Sequence, residues 1–598
     1  MMETVKERSE VSEEFKWAVT DIYKNDDCWN DDYNAVKAMT EKLASFRGRL
    51  SESAETMLEY FKLNDDLGIK LDSLVNYAHR RRDEDNRNSV YQEMCGRLSA
   101  LISDIAEAGA FEVPEILSID ENVLEGFFEK NKDLGLYRLY ISRLQKRKEH
   151  TLSEAEERIM ALAGQMQEAP DTIYSVFSDA ELDFEDATDS KGEKHQVTHG
   201  TYIPLVKSSD RVLRESAFHS MYASYDKYKN TIASMLAAQT KQLSFNAKAR
   251  RYESSLHASL DRTDVPVSVY RNLIDAVHKN MEYMYKYVRL RKKLLGVDEL
   301  HMYDLYTPVV SDCDMKISFE EAKKNVYNAL EPMGDEYRSI LMEGFNNRWI
   351  DVYENKGKTS GAYSAGAKVH PFVLLNHKDT LNCEFTLAHE MGHAIHSYYS
   401  NKTQPQVYSD YVIFVAEVAS TCNEALLMEY LLKTTTDKKQ KAYLINYFLE
   451  QFRTTLYRQT MFAEFELKIN EMTENGEGLT ADNLSAIYYD LNKLYFGDDI
   501  VIDRDISLEW ARIPHFYYDY YVYQYATGYS AAIALSRKIL KEGKPAVDNY
   551  IKFLSGGCSA SPIELLKTAG VDMSSPDPVN SALEIFGELI DELDSLTD

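Results

Sequence analysis

Apolar residues recur along most of the chain at intervals of three and four, the period of an α-helix. The clearest case starts at Asp210, and its apolar face comprises Val212, Leu213, Ala217, Phe218, Met221, Tyr225, Ile232 and Leu236. A capping-box pattern at Ser153 and Glu156 predicts a helix start, and a last helix is predicted near 577–596 with a proline close to its start. The pattern therefore predicts a mainly α fold.

Strand patterns are few. The segment 181–206 is typical of a hairpin that turns around Lys191-Gly192, and 361–376 passes from glycines into a short extended run. We find no internal repeat and no flexible linker. Changes in the pattern near 115 and 205 suggest three regions, 1–114, 115–204 and 205–598. The fold class is thus mainly α with a small β element.

Composition limits the possible partners. The chain has 598 residues, of which 44% are hydrophobic and 28% charged, enough for more than one core. There are 97 acidic against 68 basic residues, a formal net charge of −29. Such a surface repels phosphate backbones, so no nucleic-acid partner is expected.

The cell compartment is predicted from the N-terminal segment, from the absence of long apolar runs and from the cysteines. The first residues, "MMETVKERSEVSEEFKW", lack the apolar run of a signal peptide, and no window approaches the length of a membrane span. No CxxC pair occurs among the six cysteines, Cys28, Cys95, Cys313, Cys383, Cys422 and Cys558. This usage is typical of reduced thiols, so we expect a cytoplasmic protein without a membrane partner.

The stretch "HEMGH" at 389–393 carries the main chemical prediction. Residues four apart share a helix face, so His389 and His393 can turn both rings toward one metal ion. Glu390 projects about 100° around the helix, where its carboxylate can take a proton from a water on that metal. Gly392 is costly within a helix, which indicates a close neighbour. The alternative is a buried helix with hydrogen-bonded histidines.

His396 does not fit a third-ligand role. A straight helix rises about 10.5 Å from residue 389 to residue 396, too far for three imidazoles to meet at one zinc ion. A metzincin would need glycine at 396 and histidine at 399, but this chain has His396 and Tyr399. His396 is therefore predicted to pack near the site without binding the metal.

The third ligand is sought among the carboxylates that follow. "VIFVAEVASTCNEALLMEYLL" is an apolar helix pattern in which Glu417 and Glu424 are conspicuous. An ionised carboxylate there needs a partner, and zinc would serve Glu417. Pairing of Glu417 with a lysine or arginine is the alternative. Glu424 is predicted to accept the second ring N–H of a ligand histidine.

A tyrosine-rich segment, "RIPHFYYDYYVYQYATGYSAA", spans 512–532. Helical spacing could bring His515, Tyr518, Tyr525 and Tyr529 to one side. Phenols can donate hydrogen bonds to a developing oxyanion, yet aromatic stripes are also common in packed cores. Spacing alone leaves both interpretations open.

Taken together, these motifs resemble the M3 family of zinc metallopeptidases, specifically the oligoendopeptidase F subgroup. The resemblance rests on "HEMGH", on "AEVAST" at 416–421, on the segment from His515, on "SGAYSAG" and on "FKWAVTDIY" at 15–23. It implies one Zn²⁺ per chain, bound by His389, His393 and Glu417, with Glu390 as general base.

The resemblance also implies further roles and a fold. His515, Tyr518 and Tyr525 match the family's hydrogen-bond donors to the oxyanion. The implied fold is a two-lobed zincin type with a deep central channel that admits short unfolded peptides. On this basis 1–114 is an N-terminal helical region, 115–204 an accessory domain and 205–598 the catalytic domain.

The predicted function is zinc-dependent hydrolysis of internal peptide bonds in oligopeptides. A zinc aminopeptidase or carboxypeptidase is an alternative, and peptides blocked at both ends distinguish it because only an endopeptidase cuts them. A zinc-stabilised protein that binds peptides without cutting them is a second alternative. Glu390 argues against that one, since a structural zinc site favours a closed fourth position over a base.

Overall fold

A computed structural model describes residues 5–310 and 315–597. Helices dominate it, as the sequence predicts, and they are α1 Asp26–Ala44, α2 Ala54–Glu84, α3 Ser89–Gly109, α4 Glu112–Ser118, α5 Glu121–Lys130, α6 Arg138–Lys146, α7 Glu154–Gln167, α8 Ala169–Val176, α9 His199–Val206, α10 Arg211–Ala249, α11 Ser255–Asp261, α12 Val267–Lys279, α13 Met281–Leu295, α14 Phe319–Ala329, α15 Gly334–Asn346, α16 Leu381–Thr403, α17 Ile413–Thr434, α18 Lys438–Gln451, α19 Arg458–Glu474, α20 Ala481–Phe496, α21 Tyr523–Glu542, α22 Lys544–Leu554, α23 Pro562–Thr568 and α24 Asp577–Thr597. The strands are β1 Ala187–Thr188, β2 Lys194–His195, β3 Ile350–Asp351, β4 Tyr363–Ala365 and β5 Phe372–Leu374. The mainly α prediction with a small β element is confirmed.

Local sequence signals place several of these elements correctly. Helix α10 begins after Asp210, whose side chain accepts from the amides of residues 212 and 213. At the start of α7 the capping box forms, and the Ser153 amide donates to Glu156 Oε2 at 2.9 Å. Strands β1 and β2 pair antiparallel around Gly192, which has φ +82°. The positive φ explains why glycine occupies that turn.

The chain forms two compact units, each assembled from separate stretches. The first comprises the described parts of Met1–Thr151, Met315–Leu427 and Leu535–Gly570, and the second those of Leu152–Asp314, Met428–Ala534 and Val571–Asp598. The domain boundaries near 115 and 205 stay a prediction, as does the central channel.

The core of the first unit joins its N-terminal helices to the small sheet. The Trp17 ring meets Phe372 of β5 edge-on, with 6.2 Å between centroids, and both side chains are buried. Buried residues of α1 to α3 continue this core, including Trp29, Tyr60 and Tyr77. Burial of such large rings contributes much of the stability. The N-terminal region therefore supports the sheet that follows it by more than 200 residues.

The sheet has the order β3-β5-β4, so β4 is at an edge. Strand β5 pairs parallel with β3 and antiparallel with β4. The Tyr363 hydroxyl of β4 donates to Asp83 at 2.6 Å, which fixes this edge to α2. A Cβ on Gly366, just after β4, would lie 3.0 Å from Ser397 of α16. The edge strand thus lies close to α16.

In the described part of the chain, no helix is both long and apolar enough to cross a membrane. The cysteines described there, which exclude Cys313, are all free. The predicted reduced state agrees with this for Cys28, Cys95, Cys383, Cys422 and Cys558, whereas Cys313 lies outside the described residues. Cytoplasmic location stays a prediction.

Candidate active site

Two helices of the first unit carry the predicted metal-binding residues. Helix α16 starts at the Thr380 cap, whose hydroxyl accepts from the Cys383 amide, and continues for 23 residues. His389, Glu390 and His393 therefore lie in its interior, where the helical spacing assumed from sequence holds. Glu417 belongs to the first turns of α17.

Gly392 allows α16 and α17 to approach closely. A Cβ at this position would lie 2.6 Å from Ser420 Cα and 2.7 Å from the Ala419 carbonyl oxygen. Beside it, Asn423 Nδ2 donates to the Ala388 carbonyl at 3.1 Å. The close neighbour predicted for Gly392 is thus the backbone of α17. This contact brings Glu417 to the two histidines.

We expect Gly392→Ala to destabilise the protein, although alanine is the better helix former. The gain of up to about 1 kcal/mol in propensity is offset by overpacking of about 1–3 kcal/mol, because the obstacle is backbone. Thermal unfolding measures the effect as a lower Tm. Gly96→Ala is the matched control, since a Cβ there meets nothing within 4 Å. A Tm for Gly392→Ala at or above that of Gly96→Ala would contradict the expectation.

Three possible ligand atoms converge between these helices. His389 Nε2 and His393 Nε2 are 3.1 Å apart, and Glu417 Oε2 lies 3.3 Å from the first and 3.4 Å from the second. Ligands at zinc–ligand distances of about 2.0–2.1 Å in a tetrahedron are about 3.3–3.4 Å apart. The triangle therefore has the size that a bound divalent ion requires.

The contact between His389 and Glu424 supports the same interpretation. His389 Nδ1 is 2.6 Å from Glu424 Oε1, so its N–H can donate there and leave the Nε2 lone pair facing Glu417. Burial opposes ionisation of Glu417, but the neighbouring His389 and His393 hold its pKa well below the usual range. The ring protons that lower this pKa are the ones that a metal ion bound between the three atoms would displace. The donor set fits a metal ion.

Pairing of Glu417 with a lysine or arginine, the alternative to metal binding, is not found among the described residues. Within them, Glu417 forms ion pairs with His389 and His393. Ser420 Oγ donates to the Glu417 carboxylate at 3.1 Å and to its carbonyl at 2.9 Å, which fixes the side chain on α17.

Glu390 lies beside the triangle and outside it. Its side chain is only 6% exposed, and Oε2 has no hydrogen-bond partner within the described residues. Burial raises the pKa of Glu390, while the His389 and His393 rings act in the opposite direction. A buried carboxylate with a free oxygen next to a ligand set has the properties of a general base.

His396 packs, as expected. Its ring stacks on Tyr411 with 3.8 Å between centroids and a 6° angle between planes. Burial lowers the pKa of His396 to about 3. Its ring nitrogens are not among the converging ligand atoms of the triangle.

The tyrosine-rich segment belongs to the second unit, and its backbone differs from the expected helix. A 3₁₀ turn covers Pro514–Tyr517 and α21 begins at Tyr523. Between them, Asp519 and Tyr520 have φ of +56° and +54°. The prediction that Tyr518 shares helical spacing with Tyr525 is therefore wrong. Tyr518 precedes the helix.

The structure nevertheless groups the three predicted donors. The His515 ring lies 5.4 Å from Tyr518 and 6.2 Å from Tyr525, between centroids. Burial lowers the pKa of His515, which favours its neutral form. Tyr518 is 48% exposed.

Sequence reasoning missed Tyr521, whose ring lies near all three of the predicted donors. It is 5.3 Å from Tyr525 and stacks at 21° on His515, 6.2 Å away. The four-residue interval to Tyr525 was the available signal. Tyr529, which spacing placed on the same side, is buried against Phe452 at 5.1 Å.

A helix with two histidines and a second helix with a glutamate form the arrangement expected of a metallopeptidase, and comparisons with known proteins place the chain in that class. The model for peptidase family M3 matches residues 205–585, and the model described as oligopeptidase F matches 115–184. Oligopeptidase PepF of Bacillus subtilis (strain 168) is 48% identical over 99% of this chain and 88% of its own length.

Solved structures give the same result. The crystal structure of oligoendopeptidase-F from Enterococcus faecium matches with TM-score 0.74 and 36% identity over 96% of this chain and 99% of that one. A crystal structure from Chlamydophila abortus matches with TM-score 0.94 and 36% identity, over 99% of this chain and 100% of that one. The chain belongs to peptidase family M3, as predicted, and to its oligoendopeptidase F group. It is a metalloendopeptidase.

Proposed function

We propose that this metalloendopeptidase uses zinc to cut internal peptide bonds of short oligopeptides. The observation that carries the proposal is the triangle of His389, His393 and Glu417, whose spacing suits one zinc ion per chain. The similar proteins named above as oligopeptidase and oligoendopeptidase support the substrate class.

The ligand set consists of two imidazoles and one carboxylate, which hydrolytic zinc sites commonly use. A zinc ion held there supplies a Lewis acid for the carbonyl under attack and lowers the pKa of water. Glu424 keeps His389 in the tautomer that presents Nε2, through its 2.6 Å contact with Nδ1.

Glu390 moves the proton. Its carboxylate accepts a proton from the attacking water and then delivers it to the nitrogen of the leaving amine. Burial favours this exchange, because the raised pKa of Glu390 brings its protonated form closer in free energy to the ionised one.

Oxyanion stabilisation is assigned to His515, Tyr518 and Tyr525. Phenol O–H and imidazole N–H groups that are held in place before the reaction stabilise the negative charge that develops on the carbonyl oxygen. The ring cluster supports this role, since each of these side chains is restrained by aromatic neighbours.

We expect Tyr525→Phe to lower kcat by about 10²-fold with little change in KM, as for loss of one oxyanion donor. The hydroxyl would act only when charge has developed on the oxygen, so substrate binding is unaffected. Steady-state kinetics on a single peptide measure both constants. Tyr529→Phe is the control, because that ring lies against Phe452. A rise in KM alone would make Tyr525 a binding residue.

Strand β4 is proposed as the binding edge for the substrate backbone. One edge of β4 pairs with β5, and within the described residues no strand pairs with the other. An extended peptide can add to such an edge through main-chain hydrogen bonds, which depend little on side-chain identity.

Hydrolysis of an internally quenched peptide blocked at both termini tests the function. The wild-type enzyme should cut it, lose activity with a chelator and regain it when zinc is restored. An exopeptidase would leave the blocked peptide intact, and a peptide-binding protein would bind it without cleavage. Either result would overturn the proposal.

A further inference from the structure

In the turn at residues 517–520, two consecutive residues have a left-handed backbone conformation. Asp519 and Tyr520 both have positive φ, and neither is glycine. Left-handed backbone costs free energy for such residues, and it persists only where the surrounding structure fixes it. The 517–520 turn lies between His515 and α21, so its conformation decides how Tyr518 and Tyr521 face one another.

Glu466 of α19 holds this turn by its backbone. The Tyr520 amide donates to Glu466 Oε1 at 2.6 Å. Glu466 is 1% exposed, and its Oε2 has no hydrogen-bond partner among the described residues. Burial raises the pKa of Glu466 well above the usual range, and the Asp519 carboxylate acts in the same direction. A neutral buried carboxyl that accepts one amide hydrogen fits these surroundings.

Hydrogen bonds and an ion pair from α10 and the end of α11 also hold the same turn. Ser259 Oγ of α11 donates to the Asp519 carbonyl at 3.0 Å, and Arg262, just after α11, pairs with the Asp519 carboxylate. Gln239 Nε2 of α10 donates to the Tyr517 carbonyl at 3.0 Å. The left-handed pair is thus fixed from three sides, and Glu466 provides the contact to the backbone amide of Tyr520.

We propose that Glu466 is a positioning residue for the aromatic donors. Its hydrogen bond to the Tyr520 amide keeps the 517–520 turn left-handed and thereby sets Tyr518 and Tyr521 around His515. The ring contacts on the two sides of the turn, 5.4 Å for His515 to Tyr518 and 6.4 Å for Tyr518 to Tyr521, depend on that conformation. The catalytic part of this inference rests on the proposed oxyanion role.

Two variants of Glu466 distinguish the effect of its hydrogen bond to the Tyr520 amide from the effect of side-chain packing. Glu466→Gln keeps a carbonyl oxygen for the Tyr520 amide, so kcat should stay within about twofold of the wild type. Glu466→Leu removes the acceptor at similar volume, and kcat should fall about tenfold or more with KM nearly unchanged. If Glu466→Gln loses as much kcat as Glu466→Leu, the acceptor has no positioning role.

Glu464→Leu is the matched control on α19. Glu464 is also buried, but it accepts from His278 at 2.7 Å and from Tyr495 at 3.0 Å, and no contact with the 517–520 turn is found for it in the described chain. This variant should lower Tm and leave kcat unchanged. Equal losses of kcat in Glu464→Leu and Glu466→Leu would reduce the effect to general stability and overturn the proposal.

Hydrogen exchange of the amides at 518–522 gives a measure that needs no activity. Exchange should rise about tenfold or more in Glu466→Leu, and stay at the wild-type rate in Glu466→Gln and Glu464→Leu. Should Glu466→Leu fail to fold, Ser259→Ala tests the same turn from α11, with a smaller rise in exchange and a smaller loss of kcat. Unchanged exchange in Ser259→Ala and in any folded Glu466→Leu would overturn the anchor.

This measurement also separates the two proposals. If the wild-type enzyme fails to cut the blocked peptide, the proposed function is wrong, while exchange still reports whether Glu466 anchors the turn. If the wild-type enzyme is active and exchange rises without a loss of kcat, the anchor exists but does not position catalytic groups, and the inference is overturned.

Discussion

Glu390→Gln is expected to lower kcat by about 10³-fold or more while the protein still binds one metal ion per chain. The substitution keeps the size of the side chain and removes its ability to accept a proton, and general acid–base steps are worth about 10²–10⁴-fold each. Here one carboxylate serves in two proton transfers, so the upper part of that range is expected. The test is to measure kcat on an internally quenched peptide and the metal content of the same protein sample.

Glu384→Gln is the matched control on α16. Glu384 is fully buried, accepts from Asn325 Nδ2 at 2.7 Å, and burial raises its pKa to about 7. It lies more than one turn before His389 and outside the ligand triangle, so its variant should keep kcat within about twofold. Substantial turnover by Glu390→Gln, or equal losses in both variants, would show that Glu390 is not the base.

The sequence predicts the histidine pair because its geometry is local. The four-residue spacing of His389 and His393 fixes their relative direction once a helix forms, and α16 does form there. Glu417 is predictable for a different reason, since an acid within an apolar helix needs a partner. Neither argument reveals how α17 reaches α16. That contact requires the backbone approach at Gly392.

The aromatic cluster is only partly predictable. Helical spacing assumed one continuous helix, but the positive φ values at Asp519 and Tyr520 interrupt it. Aspartate adopts that conformation more readily than most residues but tyrosine does not, and nothing in the local sequence indicates two such residues in succession. The turn exists because residues far away in sequence, such as Glu466 and Ser259, hold it. This is why spacing could not predict that Tyr518 precedes the helix that carries Tyr525.

Prediction of the domain organisation is limited for the same reason, because sequence patterns report local structure and not contacts between distant segments. Changes of pattern along the chain divide it into consecutive regions, whereas the first unit combines three separated stretches. Trp17 and Phe372 share one core although they belong to different predicted regions. Periodicity identifies elements, but it does not reveal which of them share a core.

Glu417→Ala is expected to weaken zinc binding more than any other single change outside the two histidines. It removes one corner of the triangle and the only acid that contacts both His389 Nε2 and His393 Nε2 among the described residues. The expected loss exceeds the roughly 10–100-fold cost of removing an outer carboxylate that supports a ligand. Competition with a chromogenic chelator measures the zinc Kd directly, without reference to activity.

Glu424→Gln and Ser420→Ala rank the supporting contacts in the same assay. Glu424→Gln should weaken zinc binding by about 10–100-fold, because the amide is a poorer acceptor for the His389 Nδ1–H than the carboxylate. Ser420→Ala removes a 3.1 Å hydrogen bond to the Glu417 carboxylate and should have a smaller effect. The order of Kd values then follows from the role of each side chain: Glu417 would bind the ion itself, whereas Glu424 and Ser420 contact His389 and Glu417. A Glu417→Ala protein that binds zinc as tightly as Ser420→Ala would remove Glu417 from the ligand set, and the triangle would have to be completed by another group.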